Sequence, residues 1–155
     1  MIDDVVRHFT STVYIVANQK LLLVEHKKIG SWIPPGGHVD PNEAPSETCV
    51  RESMEETGLE IDLIVDDEHI AADKYLLEFD ERAVIIPSPW KVLLEKVSAT
   101  HYHIDFLYLA TAKHTNLQTK ESQALKWFSI KELEENPSIF PNVKYFGAKA
   151  INFLK

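Results

Sequence analysis

Three glutamates in the first half of the chain fall at helical spacing. Glu52, Glu55 and Glu56 occupy positions i, i+3 and i+4, which share one face of a helix that advances about 100° per residue. Carboxylates this close repel one another unless a cation neutralises them. Mg²⁺ and Mn²⁺ prefer oxygen ligands and are commonly held by a few carboxylates together with substrate phosphates. Acidic residues on one helix face are usually a solvated surface, but together with the nearby glycines and arginine this spacing favours a divalent cation that holds a diphosphate.

The residues around these glutamates predict where the helix begins and ends. Asn42 is a good N-cap and Pro45 is tolerated in the first turn. Gly58 suits the left-handed position that often follows a last helical turn. Arg51 adjoins Glu52 and has the planar fork needed to hold a carboxylate in place. The opposite face of the helix is expected to pack on the core through Val50, Ser53, Met54 and Thr57.

The segment Gly37 to Leu59, GHVDPNEAPSETCVRESMEETGL, resembles the signature of the Nudix hydrolases. That signature is G-x5-E-x7-R-E-U-x-E-E-x-G-U, where U is a bulky aliphatic residue. Ser53 stands where an aliphatic residue is usual. The preceding segment, from Trp32 to Gly37, resembles the W-x-x-P-G-G approach common in this family. The fixed positions are filled by Gly37, Glu43, Arg51, Glu52, Glu55, Glu56 and Gly58, with Leu59 as the final U.

The resemblance implies an α/β/α sandwich around a mixed β-sheet, formed by a single domain over residues 1–155. It also implies hydrolysis of the pyrophosphate bond in a nucleoside diphosphate linked to another group, with Mg²⁺ as cofactor and Mn²⁺ as a substitute. A catalytically silent domain that only binds nucleotides is the alternative. Many relatives pair as homodimers, so a homodimer is compatible with the resemblance.

The same resemblance suggests a role for each motif residue. The metal ligands would be Glu52, Glu55, Glu56 and the main-chain carbonyl of Gly36. Arg51 would orient the carboxylates. The loop and helix would be supported by Gly37, Glu43 and Gly58. The general base varies across the family, and the two candidates are Glu56 and then Glu121, which lies in a loop before the strand that carries Trp127.

Composition narrows the domain number, the binding partners and the location that the sequence allows. A length of 155 residues with 45% hydrophobic content suits one globular domain. A net charge of -8 argues against broad binding to nucleic acid or anionic lipid. Cys49 is the only cysteine, so no intrachain disulfide can form, and a reducing, cytoplasmic location fits. No signal peptide or membrane-spanning segment is expected from the sequence.

Hydrophobic alternation predicts a series of strands around the motif. A hairpin is expected from Phe9 to Ala17 and from Leu21 to Glu25, with a tight turn between them. The later strands are expected at Leu59 to Val65, Lys91 to Val97, His101 to Ala112 and Leu125 to Ile130, the middle two as an antiparallel pair. A short surface helix carries Glu132, Glu134 and Glu135, and an amphipathic helix is expected from Pro141 to Lys155.

His101, His103 and Asp105 alternate along one predicted strand and so share one of its faces. One interpretation is a polar strip that lines the pocket and contacts the base, sugar or phosphate of the substrate. A second is a transition-metal site, since His-x-His-x-Asp supplies suitable ligands. A third is an ordinary solvent-facing strand. The sequence does not choose among the three, nor does it identify the nucleotide derivative.

Overall fold

The computed structural model describes residues 4–65, 82–118 and 123–155. Its first strand, β1, runs over Val6–Ala17 and continues through a tight turn into β2, Lys20–His26. Asn18 and Gln19 form that turn with positive φ angles of 50° and 60°, as two-residue hairpin turns require. The predicted hairpin is confirmed, although β1 begins three residues earlier than the alternation suggested.

Within the described residues, six more strands and three helices follow. The strands are β3 Ser31–Ile33, β4 Gly36–His38, β5 Ile61–Leu63, β6 Lys91–Lys96, β7 His101–Ala112 and β8 Leu125–Phe128. The helices are α1 Pro45–Thr57, α2 Ile130–Glu135 and α3 Pro141–Phe153.

The strands form one mixed sheet with the backbone order β3-β2-β1-β7-β5. β1 and β7 run parallel to each other, and the remaining pairs are antiparallel. The middle of β1 also pairs with β4, β7 pairs with β6, and β8 pairs with β2. The predicted antiparallel pairing of β6 with β7 is confirmed.

Helices cover both faces of this sheet, because alternate residues of β1 point to opposite sides. Val13 and Ile15 pack in one core with Cys49 of α1. Tyr14 and Val16 pack in a second core with residues of α2 and α3. The α/β/α sandwich with a mixed sheet is therefore confirmed.

Helix α1 begins two residues later than predicted. Its N-cap is Ala44 rather than Asn42, and Ala44 has an extended backbone (φ -78°, ψ 154°). The reason is Pro45, since proline disfavours the helical conformation in the residue before it. Glu47 Oε2 accepts a hydrogen bond from the backbone N–H of Ala44 at 3.0 Å. At the other end, Gly58 adopts the predicted left-handed conformation, with φ 72°.

The buried face of α1 also differs from the prediction. Val50 and Met54 are 42% and 45% exposed, so they do not pack on the core. Ser53 and Thr57 are fully buried, as is Cys49. The helix therefore lies on the sheet through small side chains, and the serine at the aliphatic motif position donates a hydrogen bond to the carbonyl of Leu59 at 3.2 Å.

Two strands are shorter than predicted. β5 covers only residues 61–63, and β8 ends at Phe128 because Ser129 caps α2. The Ser129 hydroxyl accepts a hydrogen bond from Glu132 N, and the Glu132 side chain accepts one from Ser129 N, which is a capping box. Among the described residues, no helix has the length and apolarity to cross a membrane.

Candidate active site

Arg51 lies at the centre of a carboxylate network on α1 and the loop before it. Its Nε and Nη2 donate to both oxygens of Glu43, at 3.0 and 2.6 Å. Its Nη1 donates to Glu52 at 3.0 Å and to Glu55 at 3.2 Å. Asp40 adds an ion pair at 3.4 Å. One guanidinium thus holds four carboxylates in a fixed arrangement, as its planar fork allows.

Glu43 is the most firmly held of these carboxylates. The hydrogen bond from Arg51 is the main reason that the pKa of Glu43 is lowered to about 2, and a hydrogen bond from Thr48 adds to it. The same contact raises the pKa of Arg51 further above its ordinary value. Glu43 is therefore ionised over the working pH range and keeps Arg51 in place.

Two glycines bring β4 against the acidic face of α1. The backbone N–H of Gly36 donates to Glu56 Oε1 at 3.1 Å. A Cβ atom at Gly37 would collide with the carboxylate of Glu52, whose Cδ would lie 2.8 Å away. A side chain at this position would occupy the space that Glu52 fills. The glycine turn and the helix therefore converge on Glu52 and Glu56.

The residues of β4 alternate between the two faces of the sheet. In the pairing with β1, Gly36, Gly37 and His38 lie opposite Thr12, Ser11 and Thr10, and directly opposed residues point to the same face. Gly37 thus faces α1, whereas Gly36 and His38 face the other side. The carboxylate network and the side chain of His38 are separated by the thickness of one strand.

Asp105 lies on that other side, and its carboxylate accepts hydrogen bonds from hydroxyl groups. It is only 6% exposed and accepts hydrogen bonds from Thr10 at 3.0 Å and from Thr12 at 2.9 Å. Burial and a hydrogen bond with Asp105 together raise the pKa of Glu95 on β6. Asp105 therefore helps to join β1, β6 and β7, and its carboxylate is less open to a ligand than the sequence suggested.

His101 and His103 share a face of β7 with Asp105, as predicted, and the structure adds two histidines that the sequence analysis missed. The four rings follow one another edge to face, with centroid separations of 5.4 Å for His8 and His38, 5.4 Å for His38 and His103, 4.9 Å for His103 and His101, and 4.8 Å for His101 and His8. We call these four residues the histidine cluster. His8 and His38 had no local signal, because only the register of β1 with β4 and β7 brings them to this position.

Most of the predicted site residues therefore fall into two groups. One group comprises Gly36, Gly37, Glu43, Arg51, Glu52, Glu55 and Glu56 around the turn and helix. The other comprises His101, His103 and Asp105 on β7. Gly58 ends α1, close to the backbone of Gln118. Glu121, the second candidate for a general base, lies outside the described residues.

Comparisons with known proteins found similar sequences and similar structures. A sequence model of the NUDIX domain matches residues 6–146. Over 142 residues the chain is 31% identical to a probable DHNTP pyrophosphohydrolase of Lactococcus lactis subsp. cremoris (strain MG1363), a match that covers 92% of this chain and 73% of that protein. Over 59 residues it is 42% identical to the asymmetrical bis(5'-nucleosyl)-tetraphosphatase of Rattus norvegicus, and this match covers 38% of this chain and only 40% of the rat protein.

A solved structure is also similar over almost the whole chain. The crystal structure of a hydrolase of the NUDIX family from Clostridium perfringens superimposes with a TM-score of 0.83 at 34% identity, covering 97% of this chain and 100% of that one.

Proposed function

Because this chain belongs to the Nudix family, we propose that it is a pyrophosphohydrolase that cleaves a nucleoside diphosphate linked to another group, with Mg²⁺ as the cofactor. The observation that carries the proposal is the convergence of Glu52 and Glu56 on the glycine turn, beside the guanidinium of Arg51. A phosphate anhydride needs its charge neutralised before a nucleophile can approach.

The residues present suit a divalent cation with oxygen ligands. Among the described residues, four carboxylates contact Arg51, those of Asp40, Glu43, Glu52 and Glu55, and Glu56 lies against the turn at Gly36. The negative charge of these four carboxylates exceeds the charge that Arg51 supplies. The missing Cβ of Gly37 leaves room for Glu52 to lie against the turn. Mg²⁺ would be held by Glu52, Glu55 and Glu56 with the carbonyl of Gly36, and Mn²⁺ could replace it because both prefer carboxylate and carbonyl oxygens.

When bound, the cation supplies charge neutralisation and Lewis-acid polarisation of the phosphate oxygens. The protein supplies the positioning. Glu43 holds Arg51, and Arg51 fixes the orientation of Glu52 and Glu55 through Nη1. These contacts keep the ligand carboxylates in place before substrate arrives, which is the main way in which such a site lowers a barrier.

Glu56 is our first candidate for the general base, and Glu121 is the second. A carboxylate oxygen of Glu56 would take a proton from water as the water oxygen attacks phosphorus. The anhydride P–O bond then breaks, and the products are a nucleoside monophosphate and the phosphorylated second group, or pyrophosphate from a triphosphate. The side chain of Glu56 is already fixed at the turn by the N–H of Gly36.

The remaining parts of the proposal concern the substrate and its surroundings. The face of the sheet that carries His101, His103 and Asp105 begins at the same glycine turn, so the group beyond the diphosphate would lie along it. The partner would be a small nucleotide derivative rather than nucleic acid, given the net charge of -8. We also propose a single domain over residues 1–155, a cytoplasmic location and a homodimer.

The test is product release from a panel of nucleoside diphosphate and triphosphate derivatives, with Mg²⁺ and with a chelator. We expect turnover that requires the cation and falls about 10²- to 10⁴-fold in Glu56→Gln. Glu60→Gln is the matched control, because Glu60 is an exposed acid whose only described ion pair is at 3.9 Å to Lys113. Nucleotide binding without turnover in the wild type would instead identify a nucleotide sensor.

A further inference from the structure

Three members of the histidine cluster lie close enough to one another to share a metal ion after small side-chain rotations. The ligating nitrogens of His8, His38 and His103 all lie within 4.8 Å of one another. A tetrahedral Zn²⁺ site with Zn–N bonds of about 2.0–2.1 Å needs nitrogens roughly 3.4 Å apart. His8 and His38 are exposed, so rotation of their side chains can close this gap without disturbing the core.

His103 supplies the observation that points to a ligand. Its Nε2 atom is enclosed by the protein, yet it has no hydrogen-bond partner in the part of the chain that the structure describes. A buried polar atom without a partner costs free energy and calls for an explanation. A metal ion bound at this nitrogen would supply the missing partner.

His101 fixes the ring of His8 in a way that suits ligation. His101 Nε2 lies 3.0 Å from His8 Nδ1, so one of the two nitrogens carries the shared hydrogen. A hydrogen on Nδ1 of His8 leaves the lone pair on its Nε2. Histidines that bind metals almost always use their second nitrogen in this kind of hydrogen bond, which sets the tautomer and the orientation of the ring.

We propose that His8, His38 and His103 form a binding site for a transition-metal ion such as Zn²⁺, with His101 as the residue that orients His8. Three imidazole nitrogens leave a fourth position for water or for an oxygen of a bound molecule, as in open zinc sites. Imidazole favours Zn²⁺ over Mg²⁺. Asp105 is not a ligand, because Thr10 and Thr12 occupy its carboxylate.

This site is distinct from the acidic network. His38 lies on the face of β4 opposite to Gly37, which contacts Glu52. Nitrogen ligands on one face and oxygen ligands on the other should select different ions. The proposal does not depend on the proposed hydrolysis, because the histidine site can bind its ion whether or not the acidic network supports turnover.

The experiment is a Zn²⁺ titration of tag-free protein that has been stripped with a chelator and then supplied with excess Mg²⁺. Bound metal would be measured by competition with a chromogenic chelator. We expect one Zn²⁺ per chain, with affinity reduced roughly 10- to 100-fold or more in His8→Asn and in His38→Asn. Both positions are exposed, so folding should survive, and circular dichroism would verify this.

Two control variants separate this site from other sources of binding. Glu56→Gln should keep the Zn²⁺ affinity, because it alters only the acidic network. His114→Asn removes an exposed histidine outside the cluster and should have no effect. The proposal would be overturned if Zn²⁺ does not bind in the presence of Mg²⁺, if binding survives both cluster substitutions, or if it is lost in Glu56→Gln.

A second measurement keeps the proposal testable if a variant fails to fold. Cu²⁺ bound to the wild-type protein should give an electron paramagnetic resonance spectrum with hyperfine coupling to imidazole nitrogen. A spectrum that shows only oxygen ligands would contradict the proposal.

Discussion

The two faces of β4 carry sites that differ in how their residues are distributed along the sequence. Toward α1, the contacts of Arg51 reach residues at most 11 positions away, at Asp40. On the other face, His8, His38 and His103 come from three strands. The acidic residues are brought together within α1 and the loop before it, whereas the histidine cluster depends on the register of the sheet.

This difference has a physical consequence for each site. In a helix, residues three or four apart are neighbours wherever the helix packs. In a sheet, a slip of one residue in strand pairing moves a side chain to the opposite face. The acidic network should therefore depend mainly on α1 and its loop, and the histidine cluster mainly on the pairing of β1 with β4 and β7.

The largest effect that separates the two sites is expected from paired glycine substitutions. In Gly37→Ala the new Cβ would displace Glu52, and a displaced catalytic group costs on the order of 100-fold in kcat/KM. Zn²⁺ binding at the histidine cluster should be retained. Steady-state turnover and the Zn²⁺ titration would test this, and full activity in Gly37→Ala would show that Glu52 need not lie against the turn.

Gly36→Ala is the contrasting variant. Its Cβ would collide with the backbone carbonyl of Ser11 and would lie 3.0 Å from Thr12 Cα, and backbone atoms cannot move aside easily. We expect a loss of stability together with a loss of both metal sites, measured by urea unfolding. A stable Gly36→Ala protein would contradict the close pairing of β4 with β1.

The next largest effect is expected at His101. In His101→Gln, His8 loses the ring that orients it, so the affinity for Zn²⁺ should fall about tenfold, as for other residues that orient a ligand. The affinity of the acidic network for Mn²⁺ should change little, because that network lies on the other face of β4. The Zn²⁺ competition assay would measure the difference. An affinity loss equal to that of His38→Asn would mean that His101 is itself a ligand.

A smaller effect is expected from Glu43→Gln, and it should depend on pH. The folded-state pKa of Glu43 is lowered to about 2 from an ordinary value of 4.5. The stabilisation by Arg51 is therefore complete above about 4.5 and is lost as the pH falls toward 2. At neutral pH we expect the free energy of unfolding to decrease by about 1–2 kcal/mol.

Urea unfolding of Glu43→Gln and wild type at several pH values would check this. The difference between the two proteins should shrink as the solution becomes acidic. A difference that stays constant with pH would show that Glu43 acts through packing rather than through its charge.

The smallest effect is expected from Ser53→Ala. The substitution removes the hydrogen bond to the carbonyl of Leu59 and should cost about 1 kcal/mol or less. Both metal sites should be unaffected, because Ser53 lies on the buried face of α1. Thermal unfolding and turnover would show whether the two faces of the helix are independent, and a large loss of turnover would indicate that they are not.

The local features were predictable from the sequence because each depends on neighbours in the chain. Its position beside Glu52 predicted that Arg51 would hold a carboxylate, and the residues from Asn18 predicted the hairpin turn. Gly58 was expected in the left-handed conformation that it adopts. The mixed sheet followed from the family resemblance rather than from any single strand.

The features that were missed depend on contacts between distant segments. β4 contains two glycines and a histidine, so it has no hydrophobic alternation to reveal it. The position of His8 beside His103 follows from the parallel pairing of β1 with β7, which no local pattern specifies. Val50 and Met54 were expected to be buried because they are apolar, but small residues allow α1 to lie closer to the sheet through its neighbouring face.

The most direct test of the central claim, that the α1 carboxylates bind the hydrolytic cation, is a titration with Mn²⁺. Free Mn²⁺ would be followed by electron paramagnetic resonance in tag-free wild type, Glu56→Gln and His38→Asn. The affinity should fall about tenfold or more in Glu56→Gln and should change little in His38→Asn. Mn²⁺ binding that is unchanged in Glu56→Gln, or that is lost in His38→Asn, would contradict the assignment of the carboxylate network as the oxygen-ligand site.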